Sequence, residues 1–130
     1  MKDEEVFQRF HDAWTARDVN TVLELADPDI VIRPVHRLLY TQDEYRGHDG
    51  LEQWFEEMTG PWDSFDAVVE EVHRRPEHLV GFVHLIARSG ERELDARVAS
   101  ICEVRDGRIV SLIARDIWDV KEELATGDGA

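Results

Sequence analysis

Between His78 and Trp118 apolar and polar residues alternate along the chain, the period of strands with one buried face. The alternation predicts three long strands in succession, Leu79–Arg88, Arg92–Val104 and Arg108–Trp118, joined by tight turns at Ser89-Gly90 and Asp106-Gly107. In the middle strand Leu94, Ala96, Val98, Ser100, Cys102 and Val104 share one parity, and Glu93, Asp95, Arg97 and Glu103 share the other. Loop length then sets the register. A three-residue loop Arg105-Asp106-Gly107, with Gly107 left-handed, puts Val104 opposite Arg108, Cys102 opposite Val110, Ser100 opposite Leu112 and Ala96 opposite Asp116. The same treatment of the first hairpin puts Arg88 opposite Arg92, Ile86 opposite Leu94 and His84 opposite Ala96. His84, Ala96 and Asp116 are thus expected in one row on the inner face, beside Val80, Phe82, Ile86, Val98, Leu112 and Ala114.

Helical spacing precedes the strands. Val6, Phe7, Phe10, Ala13 and Trp14 predict an amphipathic helix over Asp3–Arg17, with Asp3 as its cap. Asp18 caps a second helix carrying Val22, Leu25 and Ala26, which Pro28 ends near Asp27, and a short strand Ile30–Arg33 follows. Pro34 to His48 has little periodicity and reads as a lid or rim, with His36, Leu39, Tyr40 and Tyr45 inward. A third helix, from His48 or Asp49 to Gly60-Pro61, carries the stripe Leu51, Trp54, Phe55 and Met58. Trp62–Arg75 fits a helix by spacing and a strand by its β-branched content, and periodicity does not decide between them. Val120–Leu124 reads as a terminal helix, and Ala125–Ala130 as a disordered tail beyond a single domain of residues 1–124.

This order predicts an α+β domain with helices on one face of an antiparallel sheet. The opposite parity carries Val83, Leu85, Ala87, Ala99, Ile101, Ile109, Ile113 and Ile117. A sheet apolar on both faces is covered on both, and no helix remains in the chain to do it. A second copy is the expected cover, giving a homodimer packed through the outer sheet face.

Charge narrows the partners. Of 130 residues, 15 are Lys or Arg and 29 are Asp or Glu, a formal charge of −14 that repels phosphate backbones and anionic lipid. Nucleic acid and membrane are therefore not expected partners. The single cysteine, Cys102, lies on the core parity, which excludes a disulfide framework and favours a reducing, cytoplasmic location. No apolar run approaches the ~20 residues of a membrane span. His11, His48, His73 and His78 read as surface or capping residues. No histidine spacing fits a metal site, because His78 and His84 share a face but lie about 20 Å apart along a strand. No cofactor is expected.

Three motifs carry a resemblance over nearly the whole chain: Phe10 to Trp14 followed by Ala16-Arg17-Asp18-Val19; Tyr45-Arg46-Gly47-His48-Asp49-Gly50-Leu51; and Asp106-Gly107-Arg108-Ile109-Val110. In their order and spacing the chain resembles the nuclear-transport-factor-2-like superfamily, in particular its SnoaL-like, ketosteroid-isomerase-like branch. The resemblance implies a cone, with a curved antiparallel sheet wrapped around three N-terminal helices and a pocket between them, and it makes Trp62–Arg75 a strand. It does not imply one activity, since isomerases, cyclases, hydrolases, dehydratases and binding modules share this fold. By motif, the tyrosine, the base and the oxyanion-hole aspartate of ketosteroid isomerases fall on Phe10, Arg33 and Ser100, so that mechanism is not expected. The Asp-Arg-Asp constellation of epoxide hydrolases of this fold is not expected either, because Asp95 and Arg97 take the outer parity.

Parity and resemblance together place His84, Asp116, Arg33 and Ser100 at the pocket, with Arg88 at its margin and His36 and Tyr40 from the loop. Phe10, Trp14, Phe55, Phe82, Val98 and Leu112 are expected as the apolar lining. Asp116 on an apolar wall, His84 exchanging protons with it and Arg33 holding an oxyanion suit acid–base work on a small, mostly apolar carbonyl compound, as in isomerases and cyclases. Two alternatives stand beside this. Arg33 and Asp116 form a buried ion pair with His84 a satisfied core histidine, or the fold serves as a non-catalytic ligand-binding or dimerisation module.

Overall fold

The computed structural model describes residues 1–34 and 42–126. His36, Leu39 and Tyr40 lie outside them, as do residues 127–130 of the expected tail. Helix α1 (Asp3–Thr15) buries Val6, Phe7, Phe10, His11, Ala13 and Trp14. The chain reverses through Arg17 at φ 55° into α2 (Val19–Glu24), whose first turn is capped by the Asp18 carboxylate accepting from Thr21 N–H at 3.2 Å. Strand β1 (Ala26–Arg33) begins earlier than the expected Ile30. The short β2 (Tyr45–Arg46) leads through Gly47, at φ 70°, into α3 (Gly47–Thr59). Then come β3 (Ser64–Arg74), β4 (Leu79–Ser89), β5 (Arg92–Arg105), β6 (Arg108–Asp116) and α4 (Ile117–Thr126). The segment that periodicity left open is thus a strand, and α4 takes in Ala125 and Thr126 of the expected tail.

Among the described residues the strands form one curved, unclosed sheet in the order β2-β1-β6-β5-β4-β3. Its pairs are antiparallel except β1 with β6, which run parallel. Helices α1 and α3 lie against the inner face, and the main core fills the space between. No helix among the described residues is long and apolar enough to cross a membrane.

The first hairpin departs from expectation by one residue. Ser89 pairs with Arg92, so Gly90-Glu91 is a two-residue loop with Gly90 at φ 60°, the Gly-first turn that matches strand twist. Every pairing slips accordingly: His84 faces Arg97, Leu85 faces Ala96 and Ile86 faces Asp95. Leu79, Gly81, Val83, Leu85 and Ala87 therefore turn inward, while Val80, Phe82, His84 and Ile86 turn outward. The second hairpin departs twice, and the departures cancel. Its loop is Asp106-Gly107, both at positive φ, and a bulge between Glu103 and Val104 then restores parity. Ser100 faces Ala114, Cys102 faces Leu112 and Asp116 faces Val98, two residues from the expected partners but on the expected face. His84, Ala96 and Asp116 do not form a row.

The last helix corrects the view of the outer face. The third long strand stops at Asp116 rather than Trp118, and α4 folds back so that Ile117 and Val120 pack on Val80, Phe82 and Ala99, with Ile101 and Leu124 at the margin. A helix of the chain itself thus covers apolar surface that was assigned to a second copy. Of the residues assigned outward, Val83, Leu85, Ala87 and Ile109 lie in the main inner core. Ile113, opposite Ile101, remains half-buried on the outer face.

Candidate functional site

A pocket of about 50 Å³ opens between α1, α3 and the inner face of β3–β6. Phe10, His11 and Trp14 line it from α1, and Trp54 and Met58 from α3. The sheet contributes Phe65 and Ala67 of β3, Val83 and Leu85 of β4, Val98 and Ser100 of β5, and Leu112 and Ala114 of β6, with Pro34 at the margin. Helical periodicity brings the first group together: positions 10, 11 and 14 occupy one side of α1, and 54 and 58 one side of α3. Trp14 is the hub of the aromatic wall, its ring centroid 4.8 Å from Trp54 and 4.9 Å from Phe55. No Asp, Glu, Lys or Arg is among the described lining residues.

His11 is the titratable group of this wall. Its Nδ1 lies 2.8 Å from the Phe7 carbonyl oxygen one turn back, and its ring packs on those of Phe7 at 4.3 Å and Phe10 at 5.5 Å. A carbonyl oxygen only accepts, so Nδ1 carries the proton and Nε2 the lone pair. Burial disfavours the imidazolium and pushes the His11 pKa down to about 4, against the smaller opposing effects of the Phe7 carbonyl and Asp12. The ring is therefore neutral at physiological pH. The lining also includes the buried Ser100, and Trp14 and Trp54, whose indole N–H groups are buried without a hydrogen-bond partner among the described residues. Each such orphan donor costs about 1–3 kcal/mol.

Of the residues that the sequence nominated, Phe10, Trp14, Val98, Ser100 and Leu112 line this pocket. Phe55 sits behind Trp14 in the core. Phe82 lies on the other side of the sheet under α4, because the hairpin slip turned its parity. His84 turns outward for the same reason. Its Nε2 is 2.7 Å from Asp95 Oδ1, and Arg97 Nη2, which only donates, approaches Nδ1 at 3.3 Å. Arg97 also bonds Glu70 at 2.9 Å, so Asp95 and Arg97 stand outside the pocket, as their parity predicts. The His84 hydrogen bond holds the Asp95 carboxyl below its ordinary pKa.

Arg33 is exposed and donates from Nε to Glu44 at 3.0 Å, not to Asp116. Asp116 sits at the junction of β6 and α4, where its Oδ1 accepts from the N–H groups of Trp118 at 2.9 Å and Asp119 at 3.3 Å. It caps a helix that the sequence reading started three residues too late. The three nominated catalytic residues are thus not brought together: His84 is on the outer face, Arg33 at an exposed strand end and Asp116 at a helix start. His36 and Tyr40 fall outside the described residues. What the sequence reading missed is His11. Its signal was present, since 7, 10, 11 and 14 recur at the spacing of one buried helical face. Among the described residues no group of three or more His, Cys, Asp or Glu is placed to hold a metal ion.

The SnoaL-like domain model matches residues 7–112, from within α1 through α3 and β3–β5 to the middle of β6. This chain belongs to the SnoaL-like family. The fold is that of the nuclear-transport-factor-2-like proteins. Bal32a, from a soil-derived mobile gene cassette, is 21% identical with a TM-score of 0.77, over 86% of each chain. An NTF2-like protein of Burkholderia pseudomallei is 16% identical with a TM-score of 0.73, over 95% of this chain and 98% of its own. An LEH-like epoxide hydrolase of M. tuberculosis is 20% identical with a TM-score of 0.70, over 95% of this chain and 89% of its own. At these identities the likeness is one of fold. Comparison with curated proteins finds no match.

Proposed function

We propose that this SnoaL-like chain binds a small, uncharged, mostly apolar molecule in the pocket between α1, α3 and the sheet, as a binding module without turnover. One observation carries the reading: the titratable side chain in the described wall is a buried imidazole whose pKa lies at about 4. A general base works best with a pKa near the operating pH, and a base this weak draws a proton poorly from a carbon acid. An ionic ligand finds no counter-charge in the described wall, and burying an unpaired charge is expensive. A volume of about 50 Å³ sets the scale. At roughly 10–15 Å³ of such space per water-sized atom, it holds a molecule of few heavy atoms unless Trp54 or Met58 moves. The epoxide hydrolase among the structural neighbours supports a small-molecule pocket, but the outward Asp95 and Arg97 give no support to that chemistry here. The test is a fragment screen by NMR. Neutral apolar fragments should shift the Trp14 and Trp54 indole signals and leave exposed Trp118 unmoved; shifts confined to the surface would end the reading.

A second reading has an observation of its own. His11 and Ser100 line the same pocket, so acid–base chemistry of isomerase or cyclase type on a small carbonyl compound would run through His11 in place of His84. Exchange of α-protons of a bound ketone in D2O, lost in His11→Phe, would favour turnover over binding alone. A homodimer is kept as part of the proposal, with its contact moved to the outer face that α4 leaves open around Ile101 and Ile113, beside Glu103 and Ser111. Sedimentation at micromolar concentration decides this: a monomer throughout would remove it.

A further inference from the structure

Hydrogen-bonding capacity in the described wall is unevenly distributed. Trp14 and Trp54 carry N–H groups that only donate and are themselves buried, and Ser100 carries a hydroxyl that does both. His11 differs, because its tautomer is fixed. With Nδ1–H bound to the Phe7 carbonyl at 2.8 Å, Nε2 across the ring is an acceptor and nothing else. The ring is held between Phe7 and Phe10, and its Nδ1 edge faces the helix's own backbone, so Nε2 is the edge turned away from that backbone.

We propose that His11 Nε2 is the recognition atom of the pocket, and that its ligands are small uncharged hydroxyl compounds, alcohols, phenols or enols, which donate to it. This rests on the pocket being a ligand site. A hydroxyl fits for two reasons. Its hydrogen meets the Nε2 lone pair, and its oxygen remains free to accept from the Ser100 hydroxyl. A ketone oxygen brings only lone pairs against a lone pair, and an alkyl group leaves the acceptor without a donor. An ammonium also donates but brings a charge that the described wall does not balance. Burial keeps the imidazole in its accepting form across the neutral range, so recognition does not wait on a protonation event.

Butan-2-ol, butan-2-one and 2-methylbutane share one heavy-atom skeleton and differ only in the group presented, so they isolate the contribution of the donor. Each is titrated into protein labelled at Val and Leu methyls and at histidine nitrogen. All three should perturb the methyls of Val83, Leu85, Val98 and Leu112. The alcohol should bind roughly fivefold tighter than the ketone and be alone in moving the unprotonated nitrogen resonance of His11. His11→Phe should abolish the alcohol's preference over the ketone and 2-methylbutane, and His11→Gln, whose amide oxygen accepts, should restore part of it. Equal affinities with an unmoved His11 nitrogen would overturn the proposal while leaving the pocket intact. Silence of the pocket methyls with all three compounds would instead remove the ligand site itself. Should His11→Phe fail to fold, the nitrogen resonance of the unaltered protein still decides.

Discussion

Gly81 is the third residue of β4, opposite Ser100, and it faces α1 only because of the hairpin register. A Cβ built there would lie 2.2 Å from Phe7 Cζ and 2.4 Å from Cε2. Ordinary contact for a Cβ begins near 3.4 Å, so Gly81→Ala requires the Phe7 ring to retreat by more than an ångström. Phe7 is fully buried and has nowhere to retreat without moving its neighbours. Overpacking of this kind costs about 1–3 kcal/mol. Set against it is a gain of about 0.5–1 kcal/mol, because alanine is less free than glycine in the unfolded chain. A net loss of about 1–2 kcal/mol is expected, read as a lower urea midpoint at unchanged m and a fall of roughly 3–8 °C in Tm. The paired variant Phe7→Leu/Gly81→Ala provides the control. Removing the ring's outer atoms should recover part of what Gly81→Ala lost, a favourable coupling of about 1 kcal/mol in a double-mutant cycle. If Gly81→Ala is as stable as the parent, or if Phe7→Leu simply adds its own cost, then Gly81 does not face Phe7 and the register of β4 is wrong.

Other tests reach different parts of the molecule. The His11 pKa is about 4 in the fold against 6.5 for the free side chain, so the unfolded chain binds the extra proton first; stability should fall by roughly 3 kcal/mol as the pH drops from above 6.5 to below 4, and His11→Gln should flatten that slope in urea titrations across pH. Asp116→Ala should cost about 1 kcal/mol and lower hydrogen-exchange protection at Trp118 and Asp119, whereas Asp116→Asn, still able to cap, should keep α4 ordered. Cys102 is fully buried and its thiol is pushed up to about 12 by burial, so thiol reagents should modify it only at the rate of unfolding. Fast labelling of native protein would contradict that burial.

Much of the fold was legible because amphipathic periods are long and redundant. The stripe of α1, the stripe of α3 and the alternation of β5 each rest on several residues, so no single ambiguous position changes the assignment. Loop lengths rest on one or two residues and have no such redundancy. Ser89-Gly90-Glu91-Arg92 accommodates a three-residue loop or a two-residue turn with glycine first, and the choice inverts the whole of β4. In the second hairpin the same misreading did no harm, because a bulge at Glu103/Val104, which no local pattern announces, put the parity back. Asp116 was obscured differently. Ile117 and Trp118 continue the strand alternation, although Asp116 also precedes the helix-spaced Ile117, Val120 and Leu124. Strand and cap signals overlap there, and the strand alternation masks the cap.

The site followed from the same few residues. In the expected register β4 would have lent the pocket His84, Phe82 and Ile86; in the observed one it lends Val83 and Leu85. The slip therefore leaves the sheet side of the pocket with Ser100 as its polar side chain among the described lining residues, and polar chemistry must come from the helices. The same slip places Gly81 beneath Phe7, which lets that ring lie against the sheet. Phe7 in turn supplies both the ring on which His11 packs and the carbonyl that fixes its tautomer. One turn, Gly90-Glu91, thus keeps one histidine, His84, out of the pocket wall and seats the packing that orients another, His11. A variant that lengthens this turn by one residue should therefore be unstable: restoring the expected parity would drive His84 into an apolar wall and Val83 and Leu85 out of it, and no local repair of the loop would recover the His11 environment.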